Sequence, residues 1–154
     1  RMAAVAPRHL GSAEHVDQTL LAERQRAVLL RFGRRNDPTT AAADVLLHEI
    51  AHEIWLFCVI YLVDQGEVSD FTDTYELYDP CTLMLFYRNR PIPVDVGYGP
   101  DTKITWPLHD AQVLADAVIA ACESQAEGNG TATPRPFSGF LGVFWNGAIF
   151  GPPL

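Results

Sequence analysis

Cysteine is scarce in this chain, and its three cysteines, Cys58, Cys81 and Cys122, are far apart. They are too few and too scattered for a disulfide framework, and no two have the spacing of zinc ligands. Cys58 lies within an apolar run and Cys122 on the apolar side of a predicted late helix. We therefore expect these two thiols to fill space in a core, and we expect no metal site built on cysteine.

Basic residues are also few, since 11 Lys and Arg stand against 19 Asp and Glu, a formal net charge of -8. A general nucleic-acid binder needs clustered basic side chains to neutralise phosphates, so the composition argues against that class. Most charged residues are interpreted as solvated surface. Because Arg31, Arg34 and Arg35 bracket the end of a predicted strand, we expect them to form a small basic rim suited to one phosphate contact.

Long apolar runs and glycine-rich phosphate loops are missing as well. No apolar run reaches the roughly 20 residues that span a bilayer, and the N-terminal stretch is too short for a secretory signal. The Gly97-Tyr98-Gly99-Pro100 segment is interpreted as a turn. A length of 154 residues with 48% apolar content fits one domain with a sizeable core. We expect a soluble protein of a reducing compartment, with no cofactor and no membrane contact.

Hydrophobic periodicity predicts alternating helices and strands. Helices are predicted at 13–23 (with Ser12 as N-cap), 40–56, 68–76 and 108–122, and strands at 28–32, 59–63, 82–87 and 92–96. This order requires parallel strands joined by right-handed helical crossovers, followed by an antiparallel hairpin. The prediction is an α/β thioredoxin-like fold, a central mixed four-stranded sheet flanked by helices. Residues 1–10 are predicted as an N-terminal arm, 11–124 as the domain and 125–154 as an apolar, aromatic extension.

The tetrapeptide Asp37-Pro38-Thr39-Thr40 joins a predicted strand to the N-terminus of the second helix. Thioredoxin-like proteins carry Cys-x-x-Cys there, because a helix N-terminus lowers a thiol's pKa. Asp37 and Thr40 cannot cycle through a disulfide, which favours a binding role. Cys81 stands immediately before Thr82, where thioredoxins have a cis-proline. Since a cis bond before a residue other than proline costs about 2.5–4 kcal/mol, a trans bond is expected there.

Six blocks of the chain occur in the order typical of one known family. They are Val16-Asp17-Gln18, Arg31-Phe32-Gly33, Asp37-Pro38-Thr39, Ile60-Tyr61-Leu62-Val63-Asp64, Tyr75-Glu76-Leu77-Tyr78-Asp79-Pro80-Cys81-Thr82 and Phe86-Tyr87-Arg88-Asn89. The chain resembles the Dim family, the small thioredoxin-fold subunit of the spliceosomal tri-snRNP, from about residue 10 to residue 123. The resemblance implies a nuclear, non-catalytic pre-mRNA splicing factor. It also implies docking to spliceosomal proteins, including the large scaffold protein, with at most peripheral contact to small nuclear RNA or pre-mRNA.

The chain departs from this family at two places. The family commonly has a cysteine where this chain has Thr40, able to pair with the residue that matches Cys81. That bridge cannot form here, so a thiol switch is not carried over. The C-terminal extension is commonly basic in the family, whereas here it is apolar and aromatic. We expect this tail to pack on the domain or to enter a groove of a partner.

A metalloprotease pattern, H-E-x-x-H, occurs at His48-Glu49-Ile50-Ala51-His52. On the predicted helix the two histidines point away from the apolar stripe, without a cleft or an evident third ligand. We interpret the match as a coincidence. Two alternatives to the docking role remain, a thiol–disulfide oxidoreductase and, with less support, a zinc metallohydrolase. Val45, His48, His52 and Trp55 form a second stripe. It is either a docking patch or a face covered by the C-terminal tail.

The binding hypothesis combines this patch with one end of the sheet. Ligands are commonly received at the carboxyl ends of parallel strands. The candidate binding residues are therefore Arg34, Arg35, Asp37, Tyr78, Asp79 and Pro80, together with Val45 and Trp55 on the helix. The degenerate redox position comprises residues 37–40 and Cys81. No catalytic residue is assigned.

Overall fold

The computed structural model describes residues 5–105, 108 and 110–128, with only the backbone for residues 127 and 128. The elements in chain order are β1 (Arg8–Leu10), α1 (Ala13–Ala22), β2 (Ala27–Gly33), α2 (Pro38–Ile54), β3 (Cys58–Asp64), α3 (Thr72–Tyr75), β4 (Cys81–Tyr87), β5 (Arg90–Ile92) and α4 (Ala111–Gly128). Residues 129–154 of the predicted apolar extension lie outside the described residues.

The strands form one mixed sheet in the order β1-β3-β2-β4-β5. Strand β3 is parallel to both β1 and β2, whereas β4 runs antiparallel to β2 and to β5. The predicted α/β architecture is therefore confirmed, but the count of four strands is wrong within the described residues. The missed strand is β1, which has two exposed residues out of three and no apolar run to reveal it.

Both faces of the sheet are covered, which explains why β2 is buried throughout its length. Alternate side chains point to opposite faces of a strand. Leu29 faces the core shared with α2 and α4, while Leu30 and Phe32 face the core on the other side, which includes Val16 and Leu20 of α1. A central strand in such a two-sided core is continuously apolar, as the sequence of β2 is.

The helix starts follow local capping. The Ser12 side chain accepts a hydrogen bond from the backbone N–H of His15 at 3.1 Å, so the predicted N-cap of α1 is confirmed. Helix α2 begins at Pro38, earlier than predicted, because Asp37 caps it and proline is tolerated in the first turn. The predicted helix 68–76 is reduced to the single turn of α3.

The last elements also differ from the prediction. Strand β5 ends at Ile92, and Val94 pairs with Asp101 in an isolated bridge instead of continuing the strand. Helix α4 continues to Gly128. The division into arm, domain and extension stays a prediction, although β1 lies within the predicted arm. Of the described helices, none is long and apolar enough to cross a bilayer.

Candidate functional site

Two loops meet at the end of the sheet where β2 finishes and β4 begins. The backbone N–H of Arg34 donates to the carbonyl of Pro80 at 2.9 Å, and the Thr40 hydroxyl donates to the same carbonyl at 3.2 Å. The Arg34 guanidinium also donates to the carbonyl of Tyr78 at 3.2 Å. The structure therefore brings together the two loops that the binding hypothesis placed at one end of the sheet.

Gly33 allows helix α2 to start close to this strand end. A Cβ atom at Gly33 would lie 2.7 Å from Cγ2 of Thr40 and 2.9 Å from Cδ of Arg31. Neither contact is tolerated by real side chains without a shift of the neighbour. The missing side chain of Gly33 therefore sets the spacing between β2 and the degenerate redox tetrapeptide.

Cys81 is the one cysteine of the degenerate redox position. Asp37 acts as a helix cap, and its carboxylate accepts the backbone N–H of Thr39 at 2.8 Å. Cys81 is buried. Burial raises the pKa of the Cys81 thiol to about 11, against the opposing effects of Arg31 and of a hydrogen bond with Thr40. The Pro80–Cys81 bond is trans, as expected. A protonated, enclosed thiol is a poor nucleophile at neutral pH.

Arg31 does not belong to the basic rim, which corrects the expectation from the sequence. Its side chain is only 4% exposed and makes a bidentate ion pair with Asp44, at 2.8 and 2.9 Å. A third donor, Nη1, binds the carbonyl of Val63 at 3.0 Å. Arg31 faces α2 because it follows Leu29 at the strand period of two. The guanidinium is therefore a structural group that ties β2 to α2.

The rim itself consists of Arg34 and Arg35. The Arg35 side chain is 69% exposed, and its guanidinium lies 2.8 Å from the Asp64 carboxylate. A cavity of about 430 Å³ opens beside it, lined in part by His9, Asp37 and Asp44. Its lining includes the carboxylates of Asp37, Asp44 and Asp64, whose negative charge opposes the binding of a phosphate.

The loop from Tyr75 to Pro80 contains the exposed part of the site. The Tyr78 side chain is 63% exposed, and Asp79 is exposed beside it. The carbonyl of Leu77 accepts from Gln65 Nε2 at 2.9 Å. Lys103 Nζ donates to the carbonyls of Tyr75 and Glu76, at 3.1 and 3.2 Å. Sequence reasoning missed Gln65 and Lys103, although Lys103 is notable as the only lysine of the chain.

The second candidate patch lies elsewhere, along the outer face of α2. Val45, His48, His52 and Trp55 are all exposed, so the predicted orientation of this stripe is confirmed. Trp55 follows a helix of 17 residues, which is about 25 Å long at 1.5 Å per residue. The structure therefore separates Trp55 from the loops around Arg34. Among the described residues, no group of three His, Cys, Asp or Glu side chains could hold a metal ion.

Solved structures with the same architecture are thioredoxins. A mutant thioredoxin from Halobacterium salinarum superposes with a TM-score of 0.61 at 14% identity, covering 77% of this chain and 92% of that one. The thioredoxin of Fasciola hepatica gives a TM-score of 0.58 at 11% identity, covering 74% of this chain and 98% of that one. At this level of identity the likeness establishes the thioredoxin-like fold alone.

Relatives in sequence are more informative. The chain is 43% identical over 131 residues to the Mitosis protein dim1 of Schizosaccharomyces pombe, covering 84% of this chain and 92% of that protein. It is 44% identical over 115 residues to the Spliceosomal protein DIB1 of Saccharomyces cerevisiae, covering 75% and 80%. The model of the family described as "Mitosis protein DIM1" matches residues 7–136. These matches in sequence show that the chain belongs to the DIM1 family.

Proposed function

We propose that the protein is a non-catalytic subunit of the spliceosome, which acts in pre-mRNA splicing by docking within the tri-snRNP. Its membership of a family that includes a spliceosomal protein supports this role. The observation that carries the proposal is the absence of a thiol pair at residues 37–40 of the degenerate redox position. Asp37 and Thr40 replace the thiols, and Thr40 helps to hold an exposed loop through the carbonyl of Pro80.

The docking surface that we propose consists of Arg34, Arg35 and Asp37 on one loop and Tyr78, Asp79 and Pro80 on the other. Interfaces favour exposed tyrosine and arginine, because both combine a large contact area with hydrogen-bonding groups. The ordered backbone of these loops lowers the entropic cost of binding. We propose the large scaffold protein of the tri-snRNP as the partner, and the nucleus as the compartment where the two meet.

Reversing both charges of the rim, Arg34→Glu with Arg35→Glu, is expected to reduce recovery of spliceosomal particles from nuclear extract by roughly tenfold. The new carboxylates would remove the bond to the Tyr78 carbonyl and repel Asp64. Recovery is measured by quantifying the small nuclear RNAs that co-purify with the tagged protein.

The matched control reverses two arginines at the opposite end of the sheet, Arg24→Glu with Arg90→Glu. Both residues are exposed and the change in net charge is the same. Undiminished recovery with the rim variant, or an equal loss with the control, would reject this docking surface. Circular dichroism of both variants separates a binding defect from unfolding.

The alternative function, thiol–disulfide exchange, predicts a different outcome. An oxidoreductase would reduce insulin with dithiothreitol as the electron donor and would contain a thiol that reacts at neutral pH. We expect no insulin reduction above background, because burial raises the pKa of Cys81 to about 11. A thioredoxin serves as the positive control. Turnover that disappears in Cys81→Ala would establish the oxidoreductase function instead.

The zinc hydrolase alternative has less support. Among the residues that the structure describes, no third His, Cys, Asp or Glu side chain joins His48 and His52 in a group that could hold a metal ion. Metal analysis after dialysis tests the alternative. A stoichiometric zinc content that is lost in His48→Ala would restore it, and a content near zero would reject it.

A further inference from the structure

The segment from Tyr75 to Pro80 is anchored in two ways, because its carbonyl oxygens accept hydrogen bonds and the side chains of Tyr75 and Leu77 pack in the core. The carbonyls of Tyr75, Glu76, Leu77, Tyr78 and Pro80 each accept a hydrogen bond from a side chain outside the loop. The donors come from three separate places: the β2–α2 junction, the residue after β3, and the segment that precedes α4. Such a loop has a fixed backbone, while the side chains of Tyr78 and Asp79 are exposed.

Lys103 contributes from a rigid position. Its neighbour Ile104 exchanges two backbone hydrogen bonds with Leu83 of β4, both 3.0 Å long. The ammonium group then reaches the carbonyls of Tyr75 and Glu76, at the C-terminal end of α3. Glu76 has a left-handed backbone, with φ 56° and ψ 55°. A residue with a Cβ atom adopts this conformation at a cost, so contacts such as that of Lys103 are needed to hold it.

Gln65 contributes from the end of β3. It is 8% exposed, and its backbone N–H donates to the carbonyl of Gly33 at 2.9 Å. Its Nε2 reaches across to the carbonyl of Leu77, but its Oε1 has no hydrogen-bond partner among the described residues. A buried amide with one unpaired end is costly. The unpaired Oε1 lowers stability, so the evident contribution of the Gln65 side chain is the hydrogen bond from Nε2 to the carbonyl of Leu77.

We propose that Gln65 and Lys103 are positioning residues, which hold Tyr78 and Asp79 in the binding geometry before a partner arrives. This inference rests on the proposed function and deepens it, because it names residues that act on the docking surface without belonging to it. Binding to a preorganised loop avoids the cost of ordering that loop. Loss of either donor therefore loosens the loop and weakens docking while the sheet stays intact.

The test uses the full chain with Gln65→Met and, separately, Lys103→Met. Both changes keep an unbranched apolar stem and remove the donor. Amide hydrogen exchange is followed at Leu77 and Tyr78, with Leu83 and Leu85 of β4 as internal references. Exchange of the loop amides is expected to rise about fivefold, the factor for one net hydrogen bond of ~1 kcal/mol. Exchange of the β4 amides is expected to stay unchanged, and recovery of spliceosomal particles to fall by a similar factor.

Two controls make the result specific. Lys103→Arg retains the charge and the donors, so exchange and recovery are expected to return to the parent values. Arg90→Met removes one positive charge at the far end of the sheet and is expected to change neither measurement. If the β4 amides of one donor variant also exchange faster, that substitution has disturbed the sheet, and the other donor variant decides the result. The two donors lie on different segments, so they are independent tests.

The outcomes separate this inference from the proposed function. Unchanged exchange at Leu77 and Tyr78 in both donor variants would overturn the positioning role, as would faster exchange with full recovery of particles. The surface itself is tested by Tyr78→Ser, which leaves the carbonyl network in place. If Tyr78→Ser recovers particles normally, the docking surface fails whatever the exchange data show.

Discussion

Replacing Asp44 with alanine is expected to lower the free energy of unfolding by about 3 kcal/mol. Asp44 is the bidentate partner of Arg31, and Arg31 is only 4% exposed. Without this carboxylate, a buried guanidinium retains its charge with the carbonyl of Val63 as its one remaining hydrogen-bond partner among the described residues. Removing one member of a buried pair typically costs about 3–5 kcal/mol. The lower end applies because the Asp44 side chain is 28% exposed and solvent can reach the site.

Urea denaturation monitored by circular dichroism measures this effect as a shift of the unfolding midpoint. The control is Asp79→Ala, which removes an exposed carboxylate at the same end of the sheet and is expected to change stability by about 0.5 kcal/mol or less. The double variant Arg31→Met with Asp44→Leu removes both charges and is expected to recover most of the loss, since apolar replacements of buried pairs are often tolerated. A double variant that is as unstable as Asp44→Ala would contradict this assignment.

The pair also shows where prediction from the sequence stops. The strand containing Arg31 was predicted correctly, because an uninterrupted apolar run is a strong signal for a buried strand. The same run contains one arginine, and its neighbours Arg34 and Arg35 suggested a common exposed cluster. The strand period of two places Arg31 toward α2, but only the tertiary structure shows that Asp44, 13 residues later, meets it there.

The candidate site likewise has one part that could be predicted from the sequence and one part that could not. The meeting of the Arg34 and Pro80 loops could be predicted, because the strand order and the family resemblance place both at one end of the sheet. The donors Gln65 and Lys103 could not, since each reaches the loop from a distant segment and neither lies in a recognisable motif. Strand β1 was missed for a related reason: a three-residue edge strand depends on its pairing with β3 and not on its own propensity.

Raising the pH from 9 to 11 is expected to destabilise the protein through its three thiols. Burial is the largest cause of a raised pKa at each of them: to about 11 for Cys81, to about 12 for Cys122, and well above the ordinary value of 9.0 for Cys58. In this window the thiols of the unfolded chain lose their protons while those of the folded chain retain them. The folded state then binds more protons, so stability falls as pH rises.

The size of this effect follows from about 1.36 kcal/mol per pH unit for each thiol. By pH 11 Cys81 and Cys122 each contribute on the order of 2 kcal/mol, and Cys58 acts in the same direction. Together these contributions are a substantial part of the stability of an ordinary domain, about 5–15 kcal/mol. Below about pH 8 the same thiols are protonated in both states and contribute almost no slope.

Urea unfolding at half-unit steps from pH 7.5 to 11 measures the slope, and pulse alkylation with iodoacetamide followed by mass spectrometry reports thiolate formation at each cysteine. In Cys81→Ala the slope above pH 9 is expected to become shallower by up to about 1.36 kcal/mol per unit, whatever the loss of stability at neutral pH from the removed sulfur. Alkylation should rise together with the loss of circular dichroism, since ionisation of enclosed thiols requires opening of the core. If thiolates form near pH 9 in a chain that is still folded, the three thiols are accessible to solvent. The inference that the Cys81 thiol is unreactive at neutral pH would then be wrong.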